Sequence, residues 1–292
     1  MDSIFIIGAG KAGVAMARAL DKSGIEVTGL WTRSEKRKEQ AAAMLKVPVH
    51  TSRWPEKMSA ADVILFAVSD GAIAGIADEL ACDKALGPSQ IVLHLCGALG
   101  TDVLDPLRGS VKAIGVLHPL VSLNFPDENA FPQQAGFGVD GDTEAVEAGR
   151  TIAHSLGGFS FDLPPDSLRG AYHSGAAVAG NFVTTLIWFA VRLASSAGIE
   201  DAVALKALCT LARTAVENAA AHGSGKSLTG PFARGDVQTL QHHLEAVERT
   251  GKRALDAYRA VGLLTVDLAR KNGQTDEALL EEIEKLLAGA SD

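Results

Sequence analysis

Residues 4–34 decide the fold, and they read IFIIGAGKAGVAMARALDKSGIEVTGLWTRS. The stretch begins with an apolar run rich in isoleucine, which is typical of a strand buried on both faces. Apolar residues then recur at helical spacing over residues 14–20, and Gly24 fits the end of that helix. A second strand is predicted over residues 25–31. The stretch therefore predicts a βαβ unit with two parallel strands.

The turn between the first strand and the helix, residues 8–13, has the pattern GxGxxG. In a dinucleotide-binding turn, Gly8 permits the tight turn, Gly10 leaves space for a pyrophosphate and Gly13 lets the helix approach the strand. The helix N-terminus adds free N–H groups and the positive end of the helix dipole. Glycine-rich turns are common, so a purely structural turn is the alternative. The position of the motif inside a βαβ unit favours a dinucleotide site.

The residues after the second strand indicate which nicotinamide cofactor is bound. An NAD site usually has Asp or Glu there, whereas an NADP site has cations for the 2′-phosphate. This sequence has no acid at the strand end and continues with Arg33, Ser34 and, further on, Arg37. A solvated helix start is the alternative, but these residues favour NADP(H). The predicted cofactor-binding residues are Gly8, Ala9, Gly10, Lys11, Ala12, Gly13, Arg33, Ser34, Arg37, Val68, Ser69 and Asp70.

Strands and helices continue to alternate up to residue 163. Further strands are predicted at residues 47–50, 62–68, 90–96, 111–117, 135–140 and 159–163, and helices at residues 35–45 and 143–156, with another starting near residue 71. The strand at 62–68 runs into Ser69 and Asp70, where Asp70 fits a helix N-cap at the edge of the cofactor crevice. Residues 121–134 form a proline-bearing loop. This pattern predicts a doubly wound, mostly parallel sheet.

From Pro164 onward the alternation stops and the sequence predicts only helices. They cover residues 167–197, 201–222, 236–258 or beyond, and 275–287, with a non-helical loop at 223–235. The predicted domains are therefore an NADP-binding α/β domain, residues 1–163, and an all-α domain, residues 164–292. The first of these helices is apolar nearly all round, which predicts that it is buried on several sides.

Composition and charge exclude several classes of protein. The chain has 292 residues, 47% of them hydrophobic, and a net charge of −8, which argues against non-specific nucleic-acid binding. Three widely separated cysteines indicate buried free thiols in a reducing compartment. The N-terminus resembles no signal peptide. Polar residues interrupt the longest apolar stretch, residues 176–193, so it predicts a buried helix rather than a membrane span. We expect a cytoplasmic protein.

Two polar residues on the long helix are candidates for the chemistry. His173 and Asn181 stand eight residues apart, on one helix face with Ala177 between them. A histidine can give or take a proton near neutral pH, and an amide can orient a carbonyl, which suits hydride transfer. The alternative is a pair of side chains hydrogen-bonded inside a helix bundle. Their cost in apolar surroundings favours the catalytic interpretation.

Two further candidates would bind the substrate. Arg234 lies in the glycine- and proline-containing loop, where it can hold a carboxylate with two bonds. His118 follows a strand and would face the crevice. A solvated arginine and a histidine bonded to the backbone of a turn are equally good interpretations. No metal site is predicted, because His242 and His243 are adjacent and nothing completes a zinc set.

These residues together resemble a known family over nearly the whole chain. The matching segments are residues 8–13, 33–34, 67–70, 118–120, 172–173 with 181, and 229–236. The chain resembles bacterial Rossmann-fold oxidoreductases with a C-terminal helical domain of unknown function. They are relatives of pyrroline-5-carboxylate reductase, ketopantoate reductase and the 3-hydroxyisobutyrate and 6-phosphogluconate dehydrogenases. The better-known relatives have a catalytic Lys with an Asn four residues later on the long helix, where this chain has His173 and Ala177.

The resemblance implies an N-terminal NADP-binding domain and a helical domain that often dimerises. We therefore expect an NADP-dependent oxidoreductase that transfers a hydride between NADPH and a small carbonyl or imine acid. Its catalytic residues would be His173 and Asn181, its substrate-binding residues Arg234, His118 and Tyr172. The expected partners are an anionic small molecule and a second copy of the chain, with no nucleic acid and no membrane. The alternative is a non-catalytic NADP-binding sensor or scaffold protein.

Overall fold

The structure is a computed structural model that describes residues 3–123 and 131–289. By its internal contacts the chain divides into two units, Met1–Gly180 and Asn181–Asp292. The division falls inside one long helix, so the predicted domain limits, 1–163 and 164–292, stay a prediction. Half of the predicted loop at 121–134, residues 124–130, lies outside the described residues.

Eight strands of the first unit form a single sheet. They are β1 (Ser3–Ile7), β2 (Glu26–Trp31), β3 (Val49–His50), β4 (Val63–Phe66), β5 (Ile91–His94), β6 (Ala113–Pro119), β7 (Gly136–Gly141) and β8 (Phe159–Asp162). Their order in the sheet is β3-β2-β1-β4-β5-β6-β7-β8. Every neighbouring pair is parallel except β6 and β7, which are antiparallel. The chain thus leaves β1 in one direction and continues from β4 in the other, which confirms the doubly wound, mostly parallel sheet.

Helices cover both faces of this sheet. They are α1 (Lys11–Lys22), α2 (Glu35–Ala42), α3 (Glu56–Ser59), α4 (Asp70–Cys82) and α5 (Thr143–Ser155), with a 3₁₀ helix at Thr101–Leu107. Side chains of β1 alternate between two cores, because successive residues of a strand point to opposite faces. Ile4 and Ile6 pack with residues of α1 and α5, whereas Phe5 and Ile7 pack with residues of α4. The continuous apolar run of β1 is therefore buried on both faces, as its sequence predicted.

The remaining elements are helical. They are α6 (Asp166–Ala177), a π turn (Val178–Phe182), α7 (Val183–Ser196), α8 (Asp201–His222), α9 (Ser224–Ser227), α10 (Gly230–Arg234), α11 (Val237–Glu248), α12 (Lys252–Asn272) and α13 (Glu277–Ala288). Helices α11, α12 and α13 enclose a core of their own around Leu240, Val266 and Ile283. The all-helical C-terminal region predicted from the sequence is confirmed.

Two predictions about these helices were wrong. Residues 236–258 do not form one helix, since Gly251, with φ of 112°, separates α11 from α12. Positive φ is a conformation that glycine adopts at little cost and that ends a regular helix. Residues 223–235 are not a loop without structure, because α9 and α10 occupy most of them. A proline in the first turn of α10 starts that short helix, where its missing N–H costs nothing.

The long helix from α6 to α7 is largely exposed in the single chain, so its predicted burial on several sides would need a further surface to cover it. Among its residues only Arg169 is buried. By length and composition alone, Asp166–Ser196 is also long and apolar enough to cross a membrane. Periodicity identified the helix correctly but could not tell which surface would cover it. The prediction of three buried cysteines was wrong, since Cys82 and Cys209 are exposed and only Cys96 is buried.

Candidate active site

The glycine-rich turn lies at the carboxyl end of β1, between neighbouring strands β2 and β4 where the sheet reverses its strand order. Gly8 has φ of 125°, and a Cβ there would come within 2.2 Å of the Ala67 carbonyl oxygen. A Cβ on Gly13 would come within 1.8 Å of the Gly8 carbonyl oxygen. Both residues must therefore be glycine for the turn, the helix and β4 to pack as they do.

Gly10 is glycine for a different reason. It is the N-cap of α1, without a side-chain hydrogen bond to the helix end. Apart from its chain neighbours, a Cβ at Gly10 would meet only Nη1 of Arg37 among the described residues, at 3.7 Å. The space in front of the first turn of α1, where Lys11 and Ala12 follow the buried Ala9, is thus open and bordered by a cation. An open glycine at a helix N-terminus fits a pyrophosphate.

The carboxyl end of β2 carries two arginines and a helix cap. Arg33 donates from Nη2 to Glu79 Oε1 at 2.7 Å, and its guanidinium lies 6.0 Å from the centre of the Trp31 ring. Ser34 caps α2, its hydroxyl accepting a bond from the Arg37 backbone N–H at 3.3 Å. A hydroxyl that accepts one bond can still donate its own proton. The residues directly after β2, 32–34, therefore include a cation and no acid, which fits a 2′-phosphate better than a free ribose hydroxyl, with Arg33 exchanging Glu79 for the phosphate.

Residues 67–70 follow β4 and border the glycine turn. A Cβ on Gly8 would lie 3.1 Å from Cγ1 of Val68. Ser69, rather than Asp70, is the N-cap of α4, and Asp70 is the first residue of the helix. The prediction that Asp70 caps α4 was therefore wrong by one position. Its carboxylate still lies in the first turn, where the helix dipole favours a negative charge.

Three residues predicted from the sequence come together at the carboxyl end of β6. His118 Nδ1 and the Tyr172 hydroxyl are 2.7 Å apart, a short hydrogen bond between β6 and α6. The two rings meet edge to face at 83°, with centroids 5.6 Å apart. The ring of His173 lies 5.8 Å from that of His118. The structure therefore forms a cluster of one phenol and two imidazoles at a strand end.

Burial changes the acidity of two members of this cluster. The pKa of His118 falls to about 4, chiefly because burial disfavours its charged form and secondly because His173 lies nearby. The pKa of Tyr172 rises to about 12, because burial disfavours the phenolate, against the opposing charge of Arg169. At neutral pH the pair therefore consists of a neutral imidazole and a protonated phenol.

Sequence reasoning missed the buried Arg169, which anchors α6 to the sheet. Its side chain is 2% exposed and donates to Asp166 at 2.8 Å, to Asp140 of β7 at 2.5 Å and to the Leu99 carbonyl at 3.1 Å. Because these three hydrogen bonds hold the buried guanidinium in one orientation, Arg169 is a rigid support for α6. One signal was available, since Arg169 stands three and four residues before Tyr172 and His173, on the same helix face.

His94 is a second buried polar residue that sequence reasoning missed. Its Nε2 bonds the Gly100 carbonyl at 2.9 Å, and its Nδ1 accepts from the Cys96 backbone N–H at 3.2 Å. Burial lowers the pKa of His94, so the ring is held neutral. It fixes the loop after β5, and that loop contacts His118, since a Cβ on Gly97 would lie 2.4 Å from His118 Nδ1.

The other two predicted residues belong to the second unit. Asn181 lies in the exposed π turn, a helical irregularity that occurs frequently at functional sites. Arg234 ends α10, with its side chain 65% exposed and its Nη2 3.8 Å from Asp236 Oδ2. Asp236 in turn caps α11 through Thr239. No metal-binding cluster of His, Cys, Asp or Glu occurs in residues 3–123 and 131–289.

Two family models match the sequence. Residues 2–119 match a Rossmann-like domain, and residues 135–265 match a domain of unknown function, DUF2520. The chain thus combines these two domains, as the resemblance implied. A comparison with curated proteins finds none that matches.

Solved structures share this fold across the whole chain. BF3122 from Bacteroides fragilis, provisionally named an NADP oxidoreductase, is 18% identical with a TM-score of 0.70, covering 97% of this chain and 98% of that one. An imine reductase from Pseudomonas sp. is 18% identical with a TM-score of 0.62, covering 97% and 99%. Pyrroline carboxylate reductase from Plasmodium falciparum, solved with NADP bound, is 15% identical with a TM-score of 0.59, covering 97% of each chain. At these identities the likeness is one of fold.

Proposed function

We propose that the protein is an NADP(H)-dependent oxidoreductase that acts on a small carbonyl or imine acid. The observation that carries this proposal is the open glycine turn with Arg37 beside it and Arg33 at the end of β2. Cations replace the acid that holds the ribose of NAD. Solved structures of the same fold include a reductase with NADP bound and an imine reductase, which supports the same class of reaction.

The residues of the chain would divide the work as follows. The turn at residues 8–13 and the N-terminus of α1 would hold the pyrophosphate, and Arg33, Ser34 and Arg37 the 2′-phosphate. Bound NADPH would supply a hydride to an electrophilic carbon. Arg234, exposed on α10, would hold a substrate carboxylate through its planar fork, and Asn181 would orient the carbonyl or imine. His173 and Tyr172 are the two candidates for the proton.

Cofactor affinity tests the first half of the proposal. We expect NADPH to bind more tightly than NADH in a fluorescence titration, and Arg33→Ala to narrow that gap by roughly ten- to hundredfold, since a charge-assisted bond contributes about 1.5–3 kcal/mol. Arg53→Ala is the matched control, because Arg53 also pairs with an acid, Asp83 at the C-cap of α4, and also lies over an indole, 5.9 Å from the Trp54 ring centre. Equal affinities of the unmodified protein for NADPH and NADH would contradict the assignment.

Gly10 provides a second variant in the same titration. Gly10→Ala should keep the fold, because its new methyl would make only an ordinary contact at 3.7 Å, yet the methyl would obstruct the pyrophosphate. Gly13→Ala should instead destabilise the protein, since its methyl would meet backbone at 1.8 Å. A Gly10→Ala variant that binds NADPH unchanged would show that the cofactor does not approach this turn.

Turnover separates an enzyme from the alternative, a non-catalytic NADP-binding sensor or scaffold. NADPH oxidation should be followed with a panel of small keto acids and cyclic imine acids. We expect sustained turnover with at least one of them. Arg234→Ala should lower kcat/KM for that compound about tenfold or more and leave the NADPH affinity unchanged. Tight NADPH binding without any turnover favours the sensor.

We also propose that a second copy of the chain covers the exposed apolar residues of α7 and α8. They include Leu186, Trp188, Val203, Leu205, Leu211 and Val216, each at least 42% exposed. Exposed apolar side chains in this number, on two helices that contact each other, indicate an interaction site, and a second copy of the chain is the partner that the sequence favours. The expectations of a cytoplasmic protein that binds neither nucleic acid nor membrane stay predictions.

Sedimentation equilibrium tests this assembly. The unmodified protein should sediment as a dimer at micromolar concentration, and Leu211→Arg should shift it towards monomer, because a buried unpaired charge is costly at an interface. Leu264→Arg is the control, since Leu264 is 68% exposed but lies on α12. A monomer without detergent, or recovery of the protein only with lipid vesicles, would overturn the proposal.

A further inference from the structure

We infer that Tyr172 is the proton donor of the reaction and that His118 holds its phenol oxygen in place. This assignment rests on the proposed function and identifies the group that completes it. The geometry points to Tyr172 because its hydroxyl lies 2.7 Å from His118 Nδ1, at the carboxyl end of β6. Ligands bind at the carboxyl ends of strands in sheets of this kind.

The direction of this hydrogen bond decides whether the phenol can act. A neutral imidazole carries one N–H, on either Nδ1 or Nε2. When Nδ1 carries it, His118 donates to the Tyr172 oxygen and the phenolic O–H remains available to a substrate. When Nε2 carries it, Tyr172 donates its phenolic proton to His118 Nδ1, and that proton is not available to a substrate. The inference therefore includes the Nδ1–H tautomer of His118.

The surroundings support a neutral His118 and a protonated Tyr172. Burial lowers the pKa of His118 most, and His173, Arg169 and His94 lower it further, so that it falls to about 4 although Asp70 acts in the opposite direction. Tyr172 keeps its proton at neutral pH because burial raises its pKa to about 12. A donor must carry a proton before it can deliver one, and this phenol does so throughout the physiological range.

The chain also stabilises the phenolate that the transfer would leave. Arg169 is fixed by its own ion pairs, and its positive charge lowers the pKa of Tyr172. The Nδ1–H of His118 would add a hydrogen bond to the phenolate oxygen, and a preorganised donor of this kind favours developing negative charge. His173, by contrast, is exposed at the surface of α6.

Two glycines keep the space around the pair clear. A Cβ on Gly97 would lie 2.4 Å from His118 Nδ1, and a Cβ on Gly138 would lie 3.3 Å from the Tyr172 oxygen. Gly138 is the register partner of His118 across the antiparallel pair of β6 and β7. A side chain at Gly97 would displace the His118 ring, whereas one at Gly138 would collide first with Leu163, at 2.4 Å, and only press on the Tyr172 hydroxyl.

The proposed step transfers one hydride and one proton to the substrate. NADPH, once bound, would supply a hydride to the substrate carbon and leave as NADP⁺, so that the C=O or C=N bond would be reduced. The Tyr172 O–H bond breaks and its proton passes to the substrate oxygen or nitrogen. The phenolate, bonded by His118 Nδ1–H, regains a proton from water before the next turnover.

The experiment compares the only two tyrosines of the chain, Tyr172 and Tyr258. Tyr172→Phe removes one oxygen and should lower kcat for the best keto or imine acid about a hundredfold or more, the usual range for general acid catalysis, with NADPH affinity unchanged. Tyr258→Phe should change kcat less than about twofold, because Tyr258 pairs with His243 in the second unit. In the unmodified protein, ¹⁵N chemical shifts should show His118 protonated at Nδ1.

Four other outcomes would contradict the role of Tyr172 or the proposed function. Turnover by Tyr172→Phe at more than about a third of the original rate overturns the inference and leaves the proposed function standing. A His118 protonated at Nε2 overturns it as well, whether or not a substrate is found. An unmodified protein that binds NADPH and reduces no compound of the panel overturns the proposed function, and with it the donor. Loss of kcat in His173→Gln but not in Tyr172→Phe assigns the proton to His173.

Discussion

Both tyrosines of this protein bond a histidine, and the two pairs differ in where they lie. His118 and Tyr172 join β6 to α6, with 2.7 Å between Nδ1 and the hydroxyl and rings at 83°. His243 and Tyr258 join α11 to α12, with 2.9 Å between the same atoms and rings at 88°. The hydrogen bond and the ring contact are thus nearly the same in both.

The difference is in what surrounds each pair. His118 is half-buried beside a fixed guanidinium and two close glycines, whereas His243 is exposed on the surface of α11. The comparison teaches that a histidine–tyrosine contact is not by itself a site. Chemistry requires an environment that fixes protonation, and strand ends supply it where a helix pair does not.

The largest expected contrast is in how stability depends on pH. The folded-state pKa of His118, about 4, lies below its ordinary value of 6.5, so the unfolded chain takes up this proton first as pH falls. The free energy of unfolding should therefore decrease between about pH 6.5 and 4, by roughly 2 kcal/mol after allowance for partial exposure. Urea denaturation of the unmodified protein and of His118→Gln, each at pH 7 and pH 4.5, measures this contribution. The loss of stability between the two pH values should be larger in the unmodified protein than in the variant.

His243→Gln is the matched control, because it removes an exposed imidazole from the same kind of pair. If the stability difference between the unmodified protein and His118→Gln is the same at both pH values, the predicted pH-dependent contribution of His118 is wrong. Such a result would mean that His118 titrates alike in the folded and unfolded chain.

A smaller contrast concerns the phenols. Tyr258→Phe leaves Tyr172 as the only tyrosine, so absorbance near 295 nm then reports that group alone. Its pKa of about 12 predicts that the phenolate is still a minor species at pH 10.5, where an ordinary tyrosine is mostly ionised. Half-ionisation of Tyr172 near pH 10 would contradict the raised pKa that its burial predicts. Tyr172→Phe gives the corresponding titration curve for Tyr258.

Much of the fold could be predicted because its signals are local. Residues 4–34 contain the apolar spacing, the glycines and the helix end that define a strand, turn, helix and strand, and the structure has all of these elements. The break at Gly251 was missed because apolar spacing continues on both sides of it. Burial of the α6–α7 helix could not be predicted, since an apolar helix has the same sequence whether its own chain or another surface covers it.

The candidate site divides in the same way. His118 and Tyr172 are 54 residues apart, and each was selected separately, from a strand end and from a family motif. Nothing local indicated that they bond each other. Arg169 was missed because two of its three partners, Asp140 of β7 and the Leu99 carbonyl of the loop after β5, come near it only in the folded chain. Long-range ion pairs leave no periodicity in a sequence.

The interlocked turn at Gly8 and Gly13 limits how cofactor preference could evolve. Both positions face backbone carbonyl oxygens at distances that no side chain can occupy, so the turn cannot be altered one substitution at a time. The arginines beyond β2 are exposed side chains whose replacement leaves that backbone untouched. Laboratory selection for NAD should therefore collect its changes at residues 33–37 and leave residues 8–13 as they are.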